Sequence, residues 1–163
     1  MIYSNISRVG HEFVGTVVAV PPAEAKWRVG DQVRGPWHGG HDGSCKSCSR
    51  GLYQMRDNKA INGITREDGY GEYATLRTEA AVRIPENADP AEVAPLLCAG
   101  VTAFNGMRRM GITVGDVVAE QGLGGLGHLA IQYAREMGFR TVALSRGADE
   151  RDYPLQLRRE RIH

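Results

Sequence analysis

Two short stretches place side chains that hold metal ions. In "GHEFVG", residues 10–15, His11 and Glu12 lie between glycines at the start of an apolar run. An imidazole and a carboxylate are ordinary zinc donors, but a catalytic zinc takes three protein ligands and keeps one position open. At the start of a strand, His11 and Glu12 point to opposite faces, so only one of them is a simple ligand. Cys98, in "PLLCAGVT", adds a thiol far along the chain; its other reading is a small buried residue of a helix. The second stretch, "HDGSCKSC", holds Cys45 and Cys48 two residues apart, preceded by His41 and Asp42. A closed zinc loop needs four donors. Two readings stand: a degenerate zinc loop drawing on Asp42, Cys45 and Cys48, with His41 as a possible nitrogen donor, or an unoccupied loop with two free thiols. A thioredoxin-like reading fails, because the pair sits in a glycine-rich loop and not at a strand-to-helix junction.

A third constellation suits a phosphate. Gly122, Gly124 and Gly127 form G-x-G-x-x-G within "GLGGLGHLAIQYA". The motif is weak alone and gains weight from its context, an apolar run before it and an amphipathic helical pattern after it. There the first glycine permits a tight turn, the second admits a pyrophosphate, and the third lets helix and strand pack closely. Gly122, Gly124, Gly125, Leu126 and Gly127 are the candidate dinucleotide contacts; the other reading is a glycine-rich turn with no ligand. The next strand ends at Ser145 and Arg146, where an acid would select NAD. A hydroxyl and a guanidinium suit a 2′-phosphate, which points to NADP, unless Arg146 is an ordinary solvated arginine.

The elements that must position these residues follow from pattern. "HEFVGTVVAV" (11–20) is β-branched and stops at Pro21-Pro22, which predicts a strand; "WRVGDQVRG" contains a Gly-Asp turn and a second strand; 71–85 reads as extended up to Pro85. Asp89, Pro90 and Glu92 spell a helix start, Pro95 ends or kinks that piece, and a second helix runs from about Val101 to Met110, with Gly111 as its stop. Residues 115–145 read strand, glycine turn, helix, strand. The predicted organisation is a β-rich domain over 1–88, connecting helices over 89–111 and a nucleotide-binding domain over 112–163.

Composition bounds the function. The chain has 163 residues, 42% hydrophobic, with a formal net charge of +1. That permits a packed core and suggests neither a nucleic-acid nor a membrane surface. The opening "MIYSNISRVG" has no signal-peptide pattern and no run is long enough to cross a bilayer, so the expected location is cytoplasmic.

In this order, "GHEFVGTVVAV", "VGDQV", "CKSCSRG", "GYGEYA", "PLLCAGVT" and "GLGGLGHLAIQYA" resemble the zinc-dependent alcohol dehydrogenases of the medium-chain dehydrogenase/reductase superfamily, from about Val9 to Gly147. The resemblance implies a mixed α/β fold: a GroES-like β-rich catalytic domain, truncated at its N-terminus, joined to an incomplete Rossmann cofactor domain. It implies that His11 and Cys98 bind the catalytic zinc, that Glu12 lies beside it, that Thr102 stands next to the nicotinamide, and that Cys45 and Cys48 match two of four structural zinc ligands. The implied reaction is hydride transfer between a small alcohol or aldehyde and NADP or NAD, with zinc as the Lewis acid, in a possible homo-oligomer.

Three departures from the family pattern stand out. The family's first catalytic ligand is a cysteine well upstream of the GHE motif, and the chain holds none there. Arg56 stands where a fourth structural cysteine belongs, and an arginine repels a cation. Glu120 replaces an apolar strand residue. The expectation is therefore an incomplete form with little turnover. The alternative is a non-catalytic truncated product that binds nucleotide weakly or pairs with full-length subunits. A zinc-free quinone-reductase-like member is disfavoured by His11, Cys98 and the cysteine pair together.

Overall fold

The computed structural model describes residues 10–58, 60–66 and 69–145. The chain divides into two compact units between Cys98 and Ala99. In the first, β1 (Phe13–Thr16) pairs antiparallel with β2 (Gln32–Gly35), Phe13 opposite Gly35 and Thr16 opposite Gln32. The antiparallel pairing continues past the strands to the predicted Gly-Asp turn at the end of the connecting segment: Gly30 N–H donates to Val17 O and Val17 N–H to Asp31 O, both at 2.9 Å. The strand is shorter than the apolar run suggested, and His11 and Glu12 precede it. The alternation argument for their facing directions therefore does not apply.

The stretch 71–85 is a larger departure. Only β3 (Val82–Arg83) is strand, pairing with β2 through Val33 and Arg34. A turn interrupts the rest: the N–H groups of Ala80 and Ala81 both donate to Arg77 O at 3.0 Å. That turn serves the core. Trp27 is buried with Val33 and Ala81, and its indole N–H donates to Thr78 O at 3.3 Å. Lys26 Nζ and the Arg83 guanidinium lie 5.0 and 4.7 Å from the Trp27 ring, in cation–π range. Here a tertiary hydrogen bond overrides a local β preference. The irregular region after β2 contains one turn of helix, α1 (Lys46–Ser49), and a 3₁₀ turn at Tyr53–Met55.

The helix start at 89 is as the sequence reads. Asp89 accepts from Ala91 N–H at 2.8 Å and Pro90 opens α2 (Pro90–Val93). Pro95 falls in a 3₁₀ segment, Ala94–Leu97, that carries the chain on to Cys98. This segment packs against β1 and β2.

The second unit opens with α3 (Ala99–Arg109), followed by β4 (Val117–Gln121), α4 (Gly127–Glu136) and β5 (Arg140–Leu144). β4 and β5 run parallel, Val117 opposite Arg140 and Gln121 opposite Leu144. A parallel pair needs a crossover, and α4 supplies it. The core joins Met107, Val118, Ala130 and Ala134, with Ala103, Tyr133 and Phe139 around them. Ala134 has no exposed surface, and α3 and α4 pack against each other. Among the described residues no helix is long and apolar enough to cross a membrane.

Candidate functional site

The glycine loop joins β4 to α4. Gly122 turns the chain with φ of +90°, a left-handed conformation that favours glycine. Its N–H donates to Leu144 O at 2.9 Å, tying the loop to the end of β5. Gly127 is buried, and a Cβ there would lie 1.9 Å from Gly122 O. Strand and helix therefore approach as closely as the motif predicts. Gly124 and Gly125 are different: a Cβ at either meets nothing within 4 Å. The N-cap of α4 is Leu126, an exposed residue whose side chain makes no capping hydrogen bond. The first N–H groups of a helix have no intrahelical partners and carry its positive pole. His128 N–H already donates to Gly124 O at 3.1 Å; the helix start before it has no side-chain cap and faces an open glycine loop, an arrangement suited to an anion.

Glu120 touches this loop from below. It is half-buried on β4, on the same face as Val118, and its Oε1 lies 3.3 Å from where a Gly127 Cβ would be. Burial pushes its carboxyl pKa up from the ordinary value. Ser145 is exposed just past β5. Arg146, its proposed partner for a 2′-phosphate, lies outside the described residues.

The metal-side candidates of the first unit stand in two places. His11 occupies a bend before β1, half-buried, with its ring edge-on to Trp37 at 4.8 Å and 82°. Glu12 follows it, also half-buried. Cys98 ends the 3₁₀ segment and is half-buried, at a helix junction and not inside the helix the sequence suggested. Thr102 belongs to the second unit, exposed on α3. Among the described residues no three His, Cys, Asp or Glu side chains gather as a metal-holding group.

The loop from Pro36 to Arg66 holds the second set. Cys45 is the N-cap of α1, its sulfur accepting from Cys48 N–H at 3.4 Å. Backbone N–H groups of Asp57 and Cys48 hold the Cys45 thiol below its ordinary pKa, whereas burial pushes the Cys48 thiol up. Asp42 is committed to neutral donors: Ser44 Oγ at 2.7 Å, Ser44 N–H at 3.0 Å and Asn58 Nδ2 at 3.2 Å. These bonds hold its pKa down at about 2. No disulfide joins the cysteines.

Beside them is a cluster of which the sequence offers only His41, as a possible nitrogen donor. His38 Nε2 and His41 Nδ1 lie 3.0 Å apart, and the His41 ring stacks on Tyr53 at 3.9 Å. Burial, then the charges of Arg56 and His41, lowers the His38 pKa to about 4. The spacing of two histidines in "WHGGH" was its one visible trace in the sequence.

Residues 3–86 match the family described as the alcohol dehydrogenase GroES-like domain. An alcohol dehydrogenase, patD, of Aspergillus clavatus is 57% identical over 148 residues, which are 91% of this chain and 38% of that protein. A thermostable alcohol dehydrogenase from Pyrobaculum aerophilum, solved with cobalt and zinc bound, superposes with a TM-score of 0.83 and 31% identity, over 94% of this chain and 47% of its own. The CAD of Helicobacter pylori, solved in complex with NADP(H), superposes with a TM-score of 0.86 and 27% identity, over 96% and 47%. The chain thus spans under half the length of each of these relatives.

Proposed function

The chain belongs to the medium-chain, zinc-type alcohol dehydrogenases through their GroES-like domain, and from that premise we propose that it serves hydride transfer between a small alcohol or aldehyde and a nicotinamide dinucleotide. One observation supports the cofactor half above all: the parallel strand pair, the open glycine loop and the α4 start without a side-chain cap are the parts from which a Rossmann-type cradle for a pyrophosphate would be made. N–H groups at the start of α4 would hold the phosphates, and Gly124, without a side chain, leaves them room. Ser145 at the end of β5 would meet the adenosine ribose, with Arg146 next to it favouring NADP over NAD. Thr102 is proposed beside the nicotinamide on the family resemblance. The bound nicotinamide supplies the hydride acceptor or donor.

The metal half has a different standing. His11, Glu12 and Cys98 are proposed on the resemblance alone as the catalytic zinc residues, and Asp42, Cys45 and Cys48 as a degenerate structural set. The described donors do not assemble a three-ligand group. No step of the reaction is therefore assigned to a metal. This donor geometry favours a second reading, a nucleotide-binding chain without turnover that binds through the same cradle.

Calorimetric titration of the purified chain with NADP and NAD, paired with turnover of primary alcohols, tests both. Dinucleotide binding with alcohol-dependent reduction supports the enzyme. Binding without turnover moves the second reading forward. No binding of either dinucleotide overturns the reading of the cradle.

A further inference from the structure

Arg56 stands at the centre of the Pro36–Arg66 loop. Its residue is 3% exposed, an unusual burial for a side chain that keeps its charge at all working pH values. Nη1 donates to Tyr53 O at 2.9 Å and Nη2 to Ala60 O. Nε is buried with no hydrogen-bond partner. Burial lowers the pKa of the guanidinium, and the charges of Cys48 and Cys45 oppose that effect. Besides Cys48 N–H, the Cys45 sulfur accepts from the backbone N–H of Asp57, the residue after Arg56.

The four chain positions that the family resemblance implies for a zinc loop here are 42, 45, 48 and 56. Asp42 is bound to Ser44 and Asn58, Cys45 to two backbone N–H groups, and position 56 brings a cation where a donor is required. A tetrahedral zinc does not fit this set. The loop is closed by other means. Asn62, 1% exposed, donates to Pro36 O at 2.7 Å; Arg66 Nη1 donates to Gly39 O at 2.9 Å; and Gly39 N–H donates to Ala60 O at 2.9 Å. Arg56 takes the same Ala60 carbonyl and so joins this network to the cysteine side of the loop.

We propose that the Arg56 guanidinium replaces a structural metal ion: it is the buried cation that ties the Cys45–Cys48 turn to Tyr53 and Ala60, and the loop folds without zinc. A guanidinium suits the role because its planar fork serves two carbonyls and still offers charge to two sulfurs. The prediction extends to a gain of function. Arg56→Cys removes the cation and supplies a thiol, leaving Asp42, Cys45, Cys48 and the new sulfur able to hold one metal.

The test uses the full 163-residue chain. Zinc stoichiometry and the thiolate-to-cobalt absorption band are measured for the wild type, Arg56→Cys, and the Cys45→Ser/Cys48→Ser double variant. The wild type and the double variant are expected to take up equal zinc, and Arg56→Cys about one equivalent more, with a cobalt–thiolate band that the wild-type loop does not give. Amide exchange is compared between the wild type and Arg56→Met, which keeps bulk and loses the donors. Residues 42–58 are expected to exchange at least tenfold faster in Arg56→Met. Wild-type zinc lost in the Cys45→Ser/Cys48→Ser variant overturns the proposal, because the loop would then hold metal despite Arg56. Unchanged exchange in Arg56→Met also overturns it, because the guanidinium would then tie nothing. The wild-type comparison decides the matter even if a position-56 variant does not fold.

Discussion

Gly127 and Gly124 belong to one motif, yet the structure gives them separate tasks, and a methyl group added to each separates those tasks. At Gly127 the added Cβ would lie 1.9 Å from Gly122 O and 3.0 Å from Gly122 C. Carbon contacts settle at about 3.5–4.0 Å, so loop and helix must part by about 1.5 Å. The obstacle is backbone, which no rotamer change relieves. Overpacking of this kind costs about 1–3 kcal/mol, and the upper end applies here. Replacing a helical glycine by alanine returns at most about 1 kcal/mol. A net loss of about 2 kcal/mol corresponds to a fall in Tm of roughly 4–8 °C for a chain of this size. At Gly124 the methyl meets nothing within 4 Å and φ is ordinary. Gly124→Ala should therefore melt within about 1 °C of wild type by far-UV circular dichroism, its cost falling on the ligand. A methyl in the path of the pyrophosphate should weaken dinucleotide binding at least tenfold, about 1.4 kcal/mol. Equal melting of the two variants, or a Gly127→Ala protein as stable as wild type, would refute the division of labour.

Further outcomes follow from charge. Glu120 has a folded pKa raised by burial, so its contribution to stability is present below the unfolded value of 4.5 and lost as pH rises through the folded value. Glu120→Gln should be more stable than wild type at pH 7 and equal to it at pH 4, and should bind dinucleotide more tightly because a negative charge leaves the loop; a less stable Gln variant at pH 7 counts against this. His38 has the opposite sign. Its folded pKa of about 4 lies below the ordinary 6.5, so the unfolded chain takes up the proton first and stability falls as pH drops from about 6.5 to about 4. Denaturant midpoints across that range should slope less in His38→Gln than in wild type; parallel slopes would remove His38 as the cause.

The sequence was most legible where one local rule governed. Asp89-Pro90 opens α2 because a cap needs only the next two residues, and 115–145 folds as read because glycine spacing and helical periodicity agree. It was least legible where distant partners decide. The Thr78 carbonyl is called away by an indole 51 residues earlier, so 71–85 does not stay extended. His11 has no strand to orient it, because β1 begins two residues later. Arg56 was visible as a misfit in a zinc pattern; its carbonyl partners Tyr53 and Ala60 are only three and four residues away, but they lie in an irregular segment whose path no periodicity encodes. The His38–His41–Tyr53 stack was hidden for the same reason.

The two tryptophans have a consequence of their own. Trp27 is buried in the first core with two cations near its ring, whereas Trp37 is 38% exposed beside His11. Neither lies beyond residue 98. Indole emission is therefore a private signal of the first unit, with a shielded blue component and a solvent-relaxed red one. The second unit, lit only by tyrosine and phenylalanine, can loosen or close on a dinucleotide in the dark. A chain that melts in one step by emission and in two by backbone ellipticity would have its units uncoupled, and the step missing from the emission would belong to the glycine loop and α4.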